Sequence, residues 1–120
     1  MATALIRPFL LISCLLLGSW AQAECTYPKQ PGDIPNPKAA TEAEMIDAMK
    51  NFKAYNADVD AYVTCLDKET EEKVKEASAA GAIMQIKAIQ AKKKSSATDE
   101  RQATIESFNK AVREFKASRG

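Results

Sequence analysis

Residues 41–66 read TEAEMIDAMKNFKAYNADVDAYVTCL, and this stretch decides the fold. It opens with Thr41 and, three residues on, Glu44, the spacing of a capping box in which each side chain satisfies the other's backbone N–H. Glu42 adds a negative charge at the positive end of the helix dipole. Behind the cap, Met45, Met49, Phe52, Val59, Val63 and Leu66 fall at steps of three, four and seven, interrupted by Asn56. Such spacing places them on one face of a helix.

Beyond this stretch, Glu69 to Ala80 is charged and then small, with no proline. Gly81 is the natural break and is expected to be the turn. A second stripe follows at Met84, Ala88, Ala91, Ser95, Thr98, Ile105, Phe108, Val112 and Phe115. The expected architecture is all-α, a long antiparallel helical hairpin over 41–118, with helices at about 41–79 and 82–118. If position i pairs with about 161 − i, Met45 meets Phe115, Met49 meets Val112 and Phe52 meets Phe108. The same register sets Glu69, Glu71 and Glu72 against Lys92, Lys93 and Lys94. An alternative is three helices, with a loop at Ser95–Thr98 and Thr98 capping the last one ahead of Asp99 and Glu100.

Upstream, residues 24–40 carry Pro28, Pro31, Pro35 and Pro37, with Gly32 and Asn36 among them. They read as an extended, polyproline-like arm packed on its own domain. Further upstream, residues 1–23 read as a signal peptide. Arg7 is the lone charge, Phe9 to Leu17 the apolar core, and Ala21-Gln-Ala23 a small-x-small cleavage site. The apolar run is about half the ~20 residues that span a bilayer, so no membrane span is expected after cleavage. Cys14 sits in a lipobox-like Leu-Ile-Ser-Cys, yet Leu15-Leu-Leu17 carries the apolar stretch past it, which favours an ordinary filler.

With Cys14 removed, Cys25 and Cys65 remain in a chain sent to an oxidising compartment, and a single Cys25–Cys65 disulfide is expected. Polyproline at ~3.1 Å per residue lets the arm run back along the first helix to reach Cys65. On a helical wheel Tyr55, Asp58, Tyr62 and Cys65 share a flank, which places the two tyrosines against the arm.

Composition excludes much chemistry. The chain has no histidine, which removes the commonest general base and zinc ligand. No phosphate-binding glycine motif is present. Removal of Arg7 leaves sixteen basic against sixteen acidic residues, so bulk charge gives no reason to expect nucleic-acid binding. Paired carboxylates at Glu69, Glu71, Glu72 and at Asp99, Glu100 lie in charge-dense stretches that lack a sheltering cleft. Neither a catalytic residue nor a cofactor is expected. Met45, Met49 and Met84 could offer thioethers to cuprous copper, and Met45 and Met49 lie one turn apart, so a small-ligand or copper carrier of the periplasm is the alternative. Both of these methionines lie on the core stripe, however, and core packing is the favoured account of them.

The segment Ala40-Thr-Glu-Ala-Glu-Met45, with Lys50, Lys53-Ala-Tyr55, Tyr62 and Cys65-Leu66, resembles a group of small exported proteins of Gram-negative bacteria. The tail Ser107-Phe-Asn-Lys-Ala-Val-Arg-Glu-Phe-Lys-Ala117 is similar to the same group's closing segment. The resemblance implies a periplasmic or secreted location and a helical fold, and it brings no catalytic residues. The expected function is a non-enzymatic cell-envelope interaction or structural protein. It would present an amphipathic face, with Phe52, Phe108, Val112 and Phe115 as candidates, to an envelope protein or to itself. Ile83, Ile86 and Ile89 are expected to extend that face as a partly open groove.

Overall fold

The computed structural model describes residues 24–120, so the expected signal peptide and Cys14 lie outside the described residues. Two helices form, α1 (Glu42–Glu76) and α2 (Ala80–Arg119), and there is no strand among the described residues. The capping box is present in full. The Thr41 hydroxyl accepts from the Glu44 N–H at 3.2 Å, and Glu44 accepts from the Thr41 N–H at 2.7 Å.

The helices are antiparallel in the expected register. The Phe52 and Phe108 rings stack with centroids 5.0 Å apart, and Asp60 pairs with Arg101 at 2.6 Å. Met45 packs with Ala111 in a buried cluster joined by Val112 and Phe115. A second cluster holds Tyr55, Val59, Tyr62, Leu66 and Ala97, with Cys25, Phe52 and Val63 against it. In α1, Met45, Phe52, Val59 and Leu66 recur every seven residues, the period that keeps a seam facing its partner helix.

Several expectations are corrected. The turn lies at Ala77–Ala79, ahead of Gly81, which sits in the first turn of α2. Ala77 is extended, with φ −79° and ψ 127°, and among the described residues only Gly32 takes a positive φ. A chain that turns through extended residues needs no left-handed glycine. The three-helix alternative is excluded, because α2 runs unbroken through Ser95–Thr98. Thr98 donates to the carbonyls of Lys94 and Ser95, and Ser95 to the Asp99 carboxylate, so these hydroxyls are satisfied inside the helix.

The second stripe was one residue out of phase over its first half. Met84, Ala88, Ala91 and Ser95 are exposed, whereas Ile83, Ile86, Gln90 and Ala97 face the seam. Met49 is also 40 % exposed, on the flank of its stripe. Of the expected lysine contacts, Lys93 lies near enough to Glu69 to help lower its carboxyl, while Lys94 pairs with Asp67 and Glu69 is bonded first to Lys73 one turn along its own helix.

Residues 24–36 carry neither helix nor strand, and a turn at 37–39 leads into α1. Asn36 organises that turn. Its carbonyl accepts from the N–H of Ala39 and Ala40, and its side chain accepts from the N–H of Lys38.

Candidate interaction face

A two-helix layer has two broad faces, and here they differ. The first is covered by residues 24–40. Cys25 is bonded to Cys65 of α1, closing a sequence separation of 40 residues with the two Cα atoms 5.8 Å apart. Tyr27 meets Tyr62 edge to face at 5.2 Å and donates its hydroxyl to Glu100 of α2 at 2.6 Å. Gln30 donates to the other Glu100 oxygen and accepts from Thr104 at 3.1 Å. Ile34 packs on the Ala40–Met45–Ala111 cluster. At the open end of the hairpin, Arg119 donates to the Ala40 carbonyl at 2.9 Å and lies over the Phe115 ring.

Acidities follow from these contacts. The hydrogen bond to the Glu100 carboxylate pushes the Tyr27 phenol up to about 12. The same bond, joined by that from Gln30, holds Glu100 below the usual carboxylate range. Tyr55 and Tyr62 are raised chiefly by burial. Glu69 is lowered, first by its hydrogen bond from Lys73. Both shifted carboxylates therefore move toward the charged form, opposite to what a general acid at neutral pH requires.

The second face follows from helix geometry. Each residue turns about 100° around an α-helix, so Asn56, Val63 and Asp67 point away from the Tyr55–Tyr62 flank and toward the far side of the seam. On α2, Arg101 is turned the same way from Glu100. Asn56, Val63, Ile105 and Val112 are half-buried along this far groove, and the side-chain amide oxygen of Asn56 is buried with no hydrogen-bond partner. Ile46 and Met49 stand 46 % and 40 % exposed at one end, and Met84 73 % exposed at the other.

Charged side chains cross this groove. Asp60 and Asp67 share a seven-residue row with Lys53 on the flank of α1, and Lys87, Lys94 and Arg101 share one with Phe108 of the seam on α2. Arg101 reaches Asp60 and Lys94 reaches Asp67 across the seam. The two aspartate side chains nevertheless remain 73 % and 56 % exposed.

The four residues expected to form a presenting face are brought together, but at the seam. Phe108 is buried under the Phe52 ring, and Phe52, Val112 and Phe115 are half-buried. Of the isoleucines expected to line a groove, Ile89 is exposed, while Ile83 and Ile86 are half-buried. The methionines do not converge. Met45 is buried against Ala40 and Ala111, Met49 lies on the surface, and Met84 sits near the turn, roughly 48 Å from Met45 along the helix axis. Among the described residues no group of histidine, cysteine, aspartate or glutamate side chains could hold a metal ion, and no helix is long and apolar enough to cross a membrane.

The ion pairs across the seam and the Tyr27–Gln30–Glu100 bonds were not anticipated. The pairs were within reach, since Asp60 with Arg101 and Asp67 with Lys94 each satisfy the 161 − i register. No protein-family model matches this chain, and no curated protein or solved structure matches it.

Proposed function

We propose that the chain is a non-enzymatic protein of the cell envelope, periplasmic or secreted, that presents a helix face to a protein partner or to a second copy of itself. The observation that carries this reading is the asymmetry of the hairpin. Residues 24–40 cover one face, and the other leaves Ile46, Met49 and Met84 exposed along a groove of half-buried aliphatic side chains. Apolar surface left open on a small domain marks an interaction site.

The proline-rich segment acts as a stiff arm, clipped to α1 by the disulfide and hydrogen-bonded to α2. It supplies a third layer to a two-helix core that is thin by itself. A structural disulfide suits an oxidising compartment. The downward shifts of Glu69 and Glu100 give no support to acid–base catalysis.

The test is photo-cross-linking in intact cells from a reactive side chain placed at Met49 or Met84, with exposed Ala103 on the outer side of α2 as control. A discrete protein adduct from the first two sites and none from Ala103 is expected. No adduct, or one pattern from all three sites, would sink the reading.

A further inference from the structure

We infer that two covalent steps in the maturation of this chain run in a fixed order: hydrolysis of the Ala23–Glu24 bond first, closure of the Cys25–Cys65 disulfide second. The inference rests on the exported reading above and on the leader expected at residues 1–23.

Cys25 is the second residue beyond the expected scissile bond. In the oxidised fold its Cα lies 5.8 Å from that of Cys65, against the flank of α1. Two residues on, Tyr27 meets Tyr62 edge to face and donates to Glu100 of α2. Glu24 itself borders a cleft floored by Asp60, Ala61, Thr64 and Lys68 of α1. The residues that follow the bond are thus held along one face of the hairpin.

A peptidase takes its substrate as an extended strand with its own backbone alongside. A layer packed on the face of a strand stands about 10 Å away. At Cys25, α1 already fills that space at little more than half the distance. Glu24 adds at most about 3.6 Å of reach, so the scissile bond cannot swing clear of α1. Hydrogen bonds and ring contacts open locally, and a peptidase can act on the open form. The disulfide does not open in that way. It keeps Cys25 on Cys65 even when the contacts of Tyr27 are lost.

The membrane adds a second constraint. Residues 18–23 reach at most about 22 Å from the apolar run to the bond. α1 alone is about 50 Å long. A hairpin closed before cleavage is therefore held against the membrane surface, where the same bond must be reached. Cleavage first also removes Cys14, which leaves Cys25 and Cys65 no partner but each other.

The chemistry of each step is complete in itself. Water adds across the amide, freeing the Ala23 carboxylate and the Glu24 ammonium. The Cys25 and Cys65 thiols are then oxidised by the disulfide of a dithiol oxidoreductase, which takes up their protons and electrons and leaves as a dithiol.

The test incubates full-length precursor in detergent micelles with a signal peptidase, and mass spectrometry reads release of the chain that begins at Glu24. Cys14→Ala is present throughout, so that a single pairing is possible. The oxidised precursor should be cut about tenfold or more slowly than the same precursor reduced. Cys65→Ser, which leaves the sequence around the bond intact, should be cut at the reduced rate with or without reductant. A flexible Gly-Ser segment inserted between Glu24 and Cys25 should restore cutting of the oxidised chain, which a general effect of folding would not do. Equal rates for oxidised and reduced precursor would overturn the order, and so would an inserted chain that stays resistant. Failure to cut any form would instead remove the leader reading, and the order with it.

Discussion

At the scale of single residues, the molecule is held by a few side chains that tie residues 24–40 to both helices. The disulfide is the strongest of these. Replacing Cys25 and Cys65 together by serine releases a loop of 40 residues and should cost about 4 kcal/mol on the chain-entropy account, read as a lower urea midpoint. Glu100 is the second tie, and its sign with pH can be worked out. Its carboxyl is more acidic folded than unfolded, so its contribution is present above the unfolded value of about 4.3 and disappears as pH falls through the lower folded value. Urea midpoints measured from about pH 6 down to pH 3 should therefore fall less steeply for Glu100→Gln than for the wild type. Equal slopes would mean that the bonds from Tyr27 and Gln30 contribute nothing. Tyr27 reports on the same contact from the basic side. Tyrosinate absorbance should place it near 12, and Glu100→Gln should bring it back toward 10. That Tyr62 lies against this segment was legible from the wheel position it shares with Cys65. The bonds to Glu100 were not, because nothing local marks which of sixteen acids a tyrosine two residues beyond Cys25 will meet.

At the scale of elements, the start of α1 was readable to the residue because a capping box is a local device with a fixed spacing. Its end was not. Gly81 looked like the turn because glycine is the usual residue at a left-handed helix terminus, yet the chain leaves α1 through extended Ala77 and needs no such conformation. The misplaced turn and the phase error in α2 share a cause. Between Gly81 and Ala97 the candidates for the seam are alanines, serines and isoleucines on every side, so the apolar signal does not choose a face. The phase is imposed from Phe108, whose stacking on Phe52 fixes α2 and carries back through Ala97 and Gln90. A test follows from the position of Gly81. It is helical, and a Cβ added there would meet nothing within 4 Å. Gly81→Ala should thus stabilise the protein by about 0.5–1 kcal/mol, measured by thermal or urea unfolding. Destabilisation would restore the glycine turn. The neighbouring N-cap of α2 offers a second gain, since Ala79 makes no side-chain cap and Ala79→Ser should add about 0.5–1 kcal/mol.

At the scale of the whole molecule, the hairpin is not uniformly built. Its buried apolar residues run from Ala40 to Leu66 on one side and from Ala97 to Ala111 on the other. Beyond Leu66 and before Ala97 the only buried residue is Gln90, whose side-chain oxygen lacks a hydrogen-bond partner. Residues 24–40 join α1 at the same level, where Cys25 is bonded to Cys65. Among the described residues the end near Ala77–Ala79 is therefore two helices deep with a polar layer at its base, while the other end holds two apolar clusters with residues 24–40 against them. Local opening is governed by the apolar contacts that must be broken, so the two ends should differ in stability though they share the same helices. Hydrogen exchange on the native protein should show amides of residues 68–94 opening at markedly lower free energy than those of residues 50–66 and 98–112. Reduction of the disulfide should then lower protection mainly in the second group, where the arm lies. Uniform protection along both helices would contradict this division.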